Sequence, residues 1–397
     1  MLRFGLWHSR LGRVFAALAV LLAVGAVVGM ALLWPNGHRN EGRNANDQRR
    51  PPQQADVTKV ERVPCTTPQA QNCRQVTAEL LDGPRQGSDA VLVFGDTGPA
   101  PDINVGDHIR VIRNEVPAGV PAGSVPPYSF QDFERRAPML WLAILFAGLV
   151  VVFGRLRGAM SLVGLVISLA IVVKFILPAI LDGRPPVPVA VVGALAVMLT
   201  TIALAHGVGP KSIAAMLGTA ASLAITLGLA ETFTDLAHLT GLSSEESSLL
   251  IIGRNDIDLQ GLVLAGMVIA ALGVLDDVTV SQASTVMALR RANPTQRARE
   301  LYRGALDVGR DHVAATVNTL VLAYVGASLP ILLIFTVGHT SFADAINVEA
   351  VATQVVATLV GSIGLIAAVP ITTALAALLA SRLRPEDVGD VAHAHAH

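Results

Sequence analysis

The stretch GLVLAGMVIAALGVLDDVTVSQASTVMAL, residues 261–289, decides how this chain is read. About 20 apolar residues suffice for a helix to cross a bilayer, and this run is longer than that. It nevertheless carries two adjacent carboxylates, Asp276 and Asp277. A charge at the bilayer centre costs about 2.5 to 3.5 kcal/mol on insertion scales, so intramembrane acids face a bundle interior or water and mark function. A helix that merely anchored the chain would not carry them.

The same apolar character extends along the chain. Of its 397 residues 52% are hydrophobic and only 15% charged, and the mean hydropathy is +0.56. Such a composition excludes an ordinary soluble domain and predicts an α-helical polytopic membrane protein whose partner is the lipid bilayer. Apolar stretches of near-spanning length fall at 14–33, 138–153, 161–181, 187–205, 212–230, 261–289, 311–337 and 350–380, which predicts about eight transmembrane helices. The first follows Arg3, Arg10 and Arg13 but has no small-residue cleavage site, so a retained signal anchor is expected. The net charge of −1 is uninformative about partners, because the charges are segregated between loops.

Loop charges set the orientation. With the N-terminus cytoplasmic, the inner loops carry Arg155 and Arg157, then Lys211, then Arg290, Arg291, Arg297, Arg299 and Arg303, and finally Arg382 and Arg384. The segment between the fifth and sixth spans carries Glu231, Asp235, Glu245, Glu246, Asp256 and Asp258 against a single Arg254. Both termini are therefore expected on the cytoplasmic side of the membrane. The domain plan is 1–33 for the N-terminus and first helix, 34–137 for an outer domain, 138–381 for a seven-helix core and 382–397 for a cytoplasmic tail.

Segment 34–137 is the one long polar insertion, about the size of a small domain. A polar stretch over 36–54 and VPAGVPAGSVPP over 116–127 read as linkers. Between them, residues 57–63, 75–80, 90–94 and 108–112 are rich in Val and Ile and bounded by turn residues, predicting a small extracytoplasmic β-rich, barrel-like module. No basic and aromatic surface for nucleic acid is present. The only cysteines, Cys65 and Cys73, fall in this module, where the topology allows a disulfide between them.

Helical spacing separates the two carboxylates of the sixth span. Gly266, Ala270, Gly273, Asp277, Ser281, Ser284 and Ala288 recur in steps of three and four and make one small, polar stripe. Small residues at this spacing mark a packed face, so Asp277 is expected to point into the bundle and Asp276 about 100° away. The structural alternative is a polar knot in which Asp277 fixes helix register by bonding Ser or Asn on neighbours. The β-branched run DDVTVS also admits local unwinding, as in transporter sites.

Candidate partners lie on other spans. In the seventh, Asp311, Ala315 and Asn318 share a face, making Asn318 a candidate buried donor; Asp311 and His312 lie near its cytoplasmic end. Lys174 in the third span is expected to snorkel to the interface. Glu231, Asp235 and His238 recur at i, i+4 and i+7, an outer acidic face able to collect cations, although a solvated helix end is the commoner reading. His393, His395 and His397 read as a frayed tail, and neither a metal nor a cofactor is expected. Gly361, Gly364 and Pro370 are expected to interrupt the last span, with Thr372 and Thr373 beside the freed carbonyls.

These motifs carry a resemblance. GRNDIDLQGLVLAGMVIAALGVLDDVTVSQAS, residues 253–284, followed by GRDHVAATVNTLVLAYVG, residues 309–326, resembles the signature region of the bacterial YibE/F-like membrane proteins. The matching positions are Gly273, Asp277, Thr279, Ser281 and Ser284, then Gly309, Arg310, Asp311, Asn318, Thr319 and Leu320. Asp276 departs from the more apolar residue at that position of the pattern. The resemblance covers roughly 140–380 and implies a membrane protein for which transport is proposed without a defined substrate.

The functional expectation is a transporter or permease in which Asp277 binds a proton or cation, with Asp276, Ser281, Asn318 and Asp311 as further candidates. The alternative is a non-catalytic envelope or membrane-complex assembly factor acting through its outer domain, in either case as a homo-oligomer or with a related membrane subunit. An enzyme is not expected: there is no HExxH helix, GxSxG elbow or phosphate loop. An aspartate dyad would need its carboxyls to converge on one water, and neighbours on one helix point apart.

Overall fold

The structure, a computed structural model, describes residues 10–36, 51–65, 73–95, 101–114, 125–243, 247, 250 and 257–383. Helices and strands are numbered here in chain order. Arg3, Glu245, Glu246, Arg254, Asp256, Arg384, the three terminal histidines and most of the two expected linkers lie outside the described residues.

After helix α1 (Arg10–Leu33) come five strands: β1 (Gln53–Arg62), β2 (Arg74–Leu80), β3 (Asp89–Phe94), β4 (His108–Arg113) and β5 (Tyr128–Phe133). They form one antiparallel sheet in the order β3-β2-β1-β4-β5. Alternating Ala55 and Val57, Val76, Ala78 and Leu80, Ala90 and Leu92, and Ile109 and Val111 all point to one side and are buried, as the two-residue period of a half-buried strand requires. Register shifts between Val57 and Lys59 and between Arg110 and Val111 add local twist. The sheet curls until the edge strands meet, with Phe94 and Phe130 edge to face at 5.7 Å. Gly106, at φ 94°, turns the chain into β4 and donates its N–H to the Val57 carbonyl at 2.9 Å. β5 was not expected; it follows the Pro- and Gly-rich stretch that reads as a closing linker.

The expected disulfide is present between Cys65 and Cys73, with Cα atoms 5.3 Å apart. Arg110 and Glu134 form an ion pair at 3.0 Å with both side chains largely covered. Gln54 Nε2 donates to the same Glu134 oxygen at 3.2 Å.

The helical part comprises α1 and α2 (Arg136–Ile171), a π-helical turn (Val172–Ile176) with α3 (Leu177–Leu181), then α4 (Pro186–His206), α5 (Pro210–Leu236) and α6 (Leu259–Ala292). α7 (Ala298–Ala327), α8 (Leu329–Val337), α9 (Phe342–Asn347) and α10 (Glu349–Ala380) complete it. Among the described residues six helical stretches are long and apolar enough to cross a bilayer, or seven if α7 and α8, bent by 60°, form one span.

Eight separate helices are not resolved, because the expected spans 138–153 and 161–181 both fall within Arg136–Leu181. That stretch is broken at Arg155, which has φ 50° and ψ −134°. An ideal Cβ on Gly158 would lie 2.2 Å from the Val150 carbonyl oxygen, whereas eight residues along a straight helix span about 12 Å. The helix is therefore sharply bent there.

α5, α6 and α10 pack against one another at the centre, α4 flanks α6, α1 flanks α4 and α5, and α7 covers parts of α6 and α10. α1 presents Gly12, Ala19 and Ala26 inward, small residues seven apart that let backbones approach. Trp34 stacks on Phe175 at 5.8 Å. Lys174 is exposed within the π-helical turn while Phe175 and Ile176 beside it are buried.

Candidate functional site

α6 begins at Asp258, whose carboxylate caps it by accepting the Gly261 N–H at 2.9 Å. The helix then runs unbroken through DDVTVS to Ala292, so the local unwinding that the β-branched run admits does not occur. Packing overrides propensity here: Val278 and Thr279 are fully buried against neighbours.

The packed arc of α6 consists of Leu264, Ala265, Val268, Leu272, Leu275, Val278, Thr279 and Gln282. The small stripe lies on the opposite side. Gly266, Ala270, Gly273, Asp277 and Ala288 are exposed, and Ser281 and Ser284 are half-buried. The expectation that Asp277 points into the bundle is thus corrected. Small residues permit a close neighbour but do not supply one, and nothing stands within 4 Å of a Cβ built on Gly266 or Gly273.

Asp276, the carboxylate ranked second from sequence, is the one held between helices. Thr201 on α4 donates its hydroxyl to Asp276 Oδ2 at 3.2 Å, while Oδ1 is buried and has no hydrogen-bond partner among the described residues. The same Thr201 hydroxyl lies 2.9 Å from the Val197 carbonyl and 3.1 Å from that of Met198. His206, at the end of α4, is within electrostatic reach of Lys211, Arg157 and Asp277.

One helical turn on, Thr279 bonds the Asp276 carbonyl at 3.1 Å and meets Thr219 of α5 at 2.6 Å. Gln282 accepts the Thr373 hydroxyl of α10 at 3.0 Å and sits where a Cβ on Gly309 would be, 2.7 Å from its Nε2. Thr201 thus holds the Asp276 carboxylate directly, whereas Thr219, Gln282 and Thr373 make their contacts further along α6. Sequence reading named Thr373 only beside Pro370 and missed the other three. The signal available for Gln282 was its being the one amide in the run 261–289.

Other expected members stay apart. Asp311 and Asn318 are both exposed on α7, correcting the expectation of a buried Asn318. The packed edge of that helix is Leu301, Ala305 and Gly309, continued by Val313 and Val317, a different side from Asp311, Ala315 and Asn318. Arg310 pairs with Asp307 at 2.9 Å and lines an apolar pocket with Leu306, Val313, Ile366, Val369 and Pro370. α10 is one helix with Pro370 inside it, not an interrupted span. Gly364 is a contact point, its Cβ position 2.0 Å from Thr226 Oγ1.

Glu231 and Asp235 lie exposed on the last turns of α5. His238 follows the helix end at φ 50°, so the three do not continue one helical face. Asp235 accepts from Gln260 at 3.0 Å and, with His238, Thr240 and Asp258, lines an open depression. Beside it Glu349 accepts the N–H groups of Thr240 and Gly241, each at 2.6 Å, tying the start of α10 to the end of α5. Among the described residues no group of three His, Cys, Asp or Glu side chains is placed to hold a metal ion.

Long apolar helices with a half-buried carboxylate at their centre, joined to a small curled sheet, define a helical membrane protein. The model of the YibE/F-like protein family matches residues 142–382, and the chain belongs to that family. No curated protein and no solved structure matches it.

Proposed function

We propose that the protein is a transporter or permease of the bacterial plasma membrane, crossing it about eight times with both termini cytoplasmic, and that Asp276 is its proton- or cation-binding group. The observation that carries this is the Asp276 carboxyl at the middle of an apolar helix: one oxygen is bonded by Thr201, and the other is buried without a partner among the described residues. Uncompensated buried acids are expensive and are kept where they act. Asp277 serves as the neighbouring charge on the open face; among the described residues Ser281, Asn318 and Asp311 make no hydrogen bond to the Asp276 carboxylate. No enzymatic chemistry is assigned.

Thr201 supports a two-state exchange. A hydroxyl has one proton to donate and two lone pairs, and three acceptors compete for it. With Asp276 ionised, Thr201 donates to the carboxylate. With Asp276 protonated, the acid donates to Thr201, which turns its own proton to the Val197 carbonyl. Loading and unloading the site thus reverses one hydrogen bond without a backbone change.

The test is flux across proteoliposomes. Wild-type protein carries pH-gradient-driven proton or monovalent cation flux that Asp276→Asn abolishes, with Asp277→Asn impaired less. Equal flux in wild type and Asp276→Asn across both gradients removes the proposal.

A further inference from the structure

α7 and α10 meet closely at Gly309, where an added Cβ would lie 2.6 Å from Val369 Cγ1. Beside that contact the helices part into a groove of about 320 Å³, lined by Leu306, Arg310 and Val313 of α7 and by Ile366, Val369 and Pro370 of α10. The α7 residues recur at i, i+4 and i+7 and those of α10 at i, i+3 and i+4, so each set is one face of its helix. All but Arg310 are apolar, and Ile366 is 53% exposed. The groove is therefore open to whatever surrounds the helices.

The one charged group of this lining belongs to a row. Arg299, Arg303 and Arg310 fall within about 40° of one another around α7, next to the flank that carries Leu306 and Val313, and all three are exposed. Arg310 bonds Asp307 at 2.9 Å, but the two side chains are 69% and 72% exposed, and an ion pair so placed contributes little. Side chains of a helix lean toward its N-terminus, so Arg310 reaches back along α7 toward Arg303 and away from the apolar stretch 311–337 that follows it. In the orientation proposed above, that end of α7 is cytoplasmic.

We infer that the α7–α10 groove binds an anionic phospholipid of the inner leaflet, with one acyl chain along Val313 and Ile366 and the phosphate held by Arg310 and Arg303. The pattern of charge selects this occupant. An acyl chain gains little by leaving other lipid tails for an equally apolar groove, so the phosphate must supply the preference. A guanidinium matches two phosphate oxygens at once, and basic sites between spanning helices on the cytoplasmic side attract anionic headgroups. The volume of about 320 Å³ lies at the small end of ligand clefts, about 300 to 1,000 Å³, which suits part of one chain with the headgroup left outside. The inference rests on the membrane orientation and not on transport.

Native mass spectrometry of the full-length protein in detergent, titrated with phosphatidylglycerol or phosphatidylcholine, tests the site. One phosphatidylglycerol is expected to bind at least about fivefold more tightly than phosphatidylcholine, roughly the contribution of one basic residue beside an anionic headgroup. Arg310→Gln should weaken phosphatidylglycerol binding by about the same factor, and Asp307→Asn, which releases Arg310 from its carboxylate, should strengthen it. Arg13→Gln, which removes an exposed arginine at the corresponding end of α1, should leave it unchanged. Equal phosphatidylglycerol affinity in wild type and Arg310→Gln overturns the site, and so does an equal loss in Arg13→Gln, which would report general attraction to basic helix ends. Displacement of the lipid by inorganic phosphate at equal concentration would mark a free-phosphate site and overturn the lipid assignment. A failed flux assay leaves this inference standing, and failed lipid binding leaves the Asp276 reading standing.

Discussion

Replacing Gly218 by alanine tests the packing that aligns α5 with α10. The new Cβ would fall 2.0 Å from Thr372 Oγ1, 2.8 Å from its Cβ and 3.1 Å from its Cγ2. Rotating Thr372 moves the hydroxyl but not the Cβ, and a buried threonine has no free volume to enter. Carbon atoms sit comfortably at about 3.5 to 4.0 Å, so the two helices must part by roughly 0.7 Å or more. Such overpacking costs about 1 to 3 kcal/mol, a fall of roughly 3 to 10 °C in the unfolding midpoint for a core of this size. Gly228→Ala is the control, because nothing lies within 4 Å of its Cβ position; it should be neutral or stabilising by up to about 1 kcal/mol through helix propensity. Moving the glycine across the interface, Gly218→Ala with Thr372→Gly, should recover most of the loss. Thermal unfolding in detergent, followed by circular dichroism, reads all three variants. If Gly218→Ala melts with Gly228→Ala, the close α5–α10 approach is wrong.

Four further outcomes follow from named contacts. Thr201→Val, which keeps shape and removes the hydroxyl, should slow flux strongly while Thr201→Ser retains it; equal flux in both would remove the exchange at Thr201. Opening the Cys65–Cys73 loop, eight residues in sequence separation, should cost the β module about 2.5 kcal/mol by the chain-entropy relation, read as faster amide exchange in β1 and β2 after reduction of the full chain. The Asp56 carboxylate bonded to His108 raises the imidazole above 6.5; this pair contributes stability below that value, lost as pH rises through the higher folded value, and Asp56→Asn should return the His108 titration, followed by NMR, toward 6.5. Glu134 is held below 4.5, first by the Arg136 N–H and then by Arg110. Its contribution is present above 4.5 and fades as pH falls through the lower folded value, so Glu134→Gln should flatten that part of the acid unfolding curve.

The helical core was legible because apolar length and helical period are written directly in the chain: the spans at 187–205, 212–230, 261–289 and 350–380 correspond to α4, α5, α6 and α10. Four strands were legible from alternation, and the fifth was hidden behind proline and glycine that read as linker. The break at Arg155 was legible as the charged gap with Arg155 and Arg157 between the spans 138–153 and 161–181; only its positive φ was not, since arginine has no preference for that region.

At the site, the run 261–289 exposed the acidic pair but not which member is held. Spacing divides a helix into faces, yet which face is covered depends on neighbours several spans away. Asp276 gained its importance from Thr201, 75 residues earlier in the chain. The α5–α10 pairing was likewise hidden: the Thr219, Ser222 and Thr226 spacing is visible, but not the partner helix, which the close contacts at Gly218 and Gly364 select.

The central claim is that Asp276 takes up and releases a proton within the membrane. Difference infrared spectroscopy of the protein in lipid, recorded between high and low pH, measures this directly. The account predicts a protonated-carboxyl band that vanishes in Asp276→Asn, persists in Asp277→Asn and shifts in Thr201→Val as the hydrogen bond is lost. A spectrum unchanged by Asp276→Asn would contradict it.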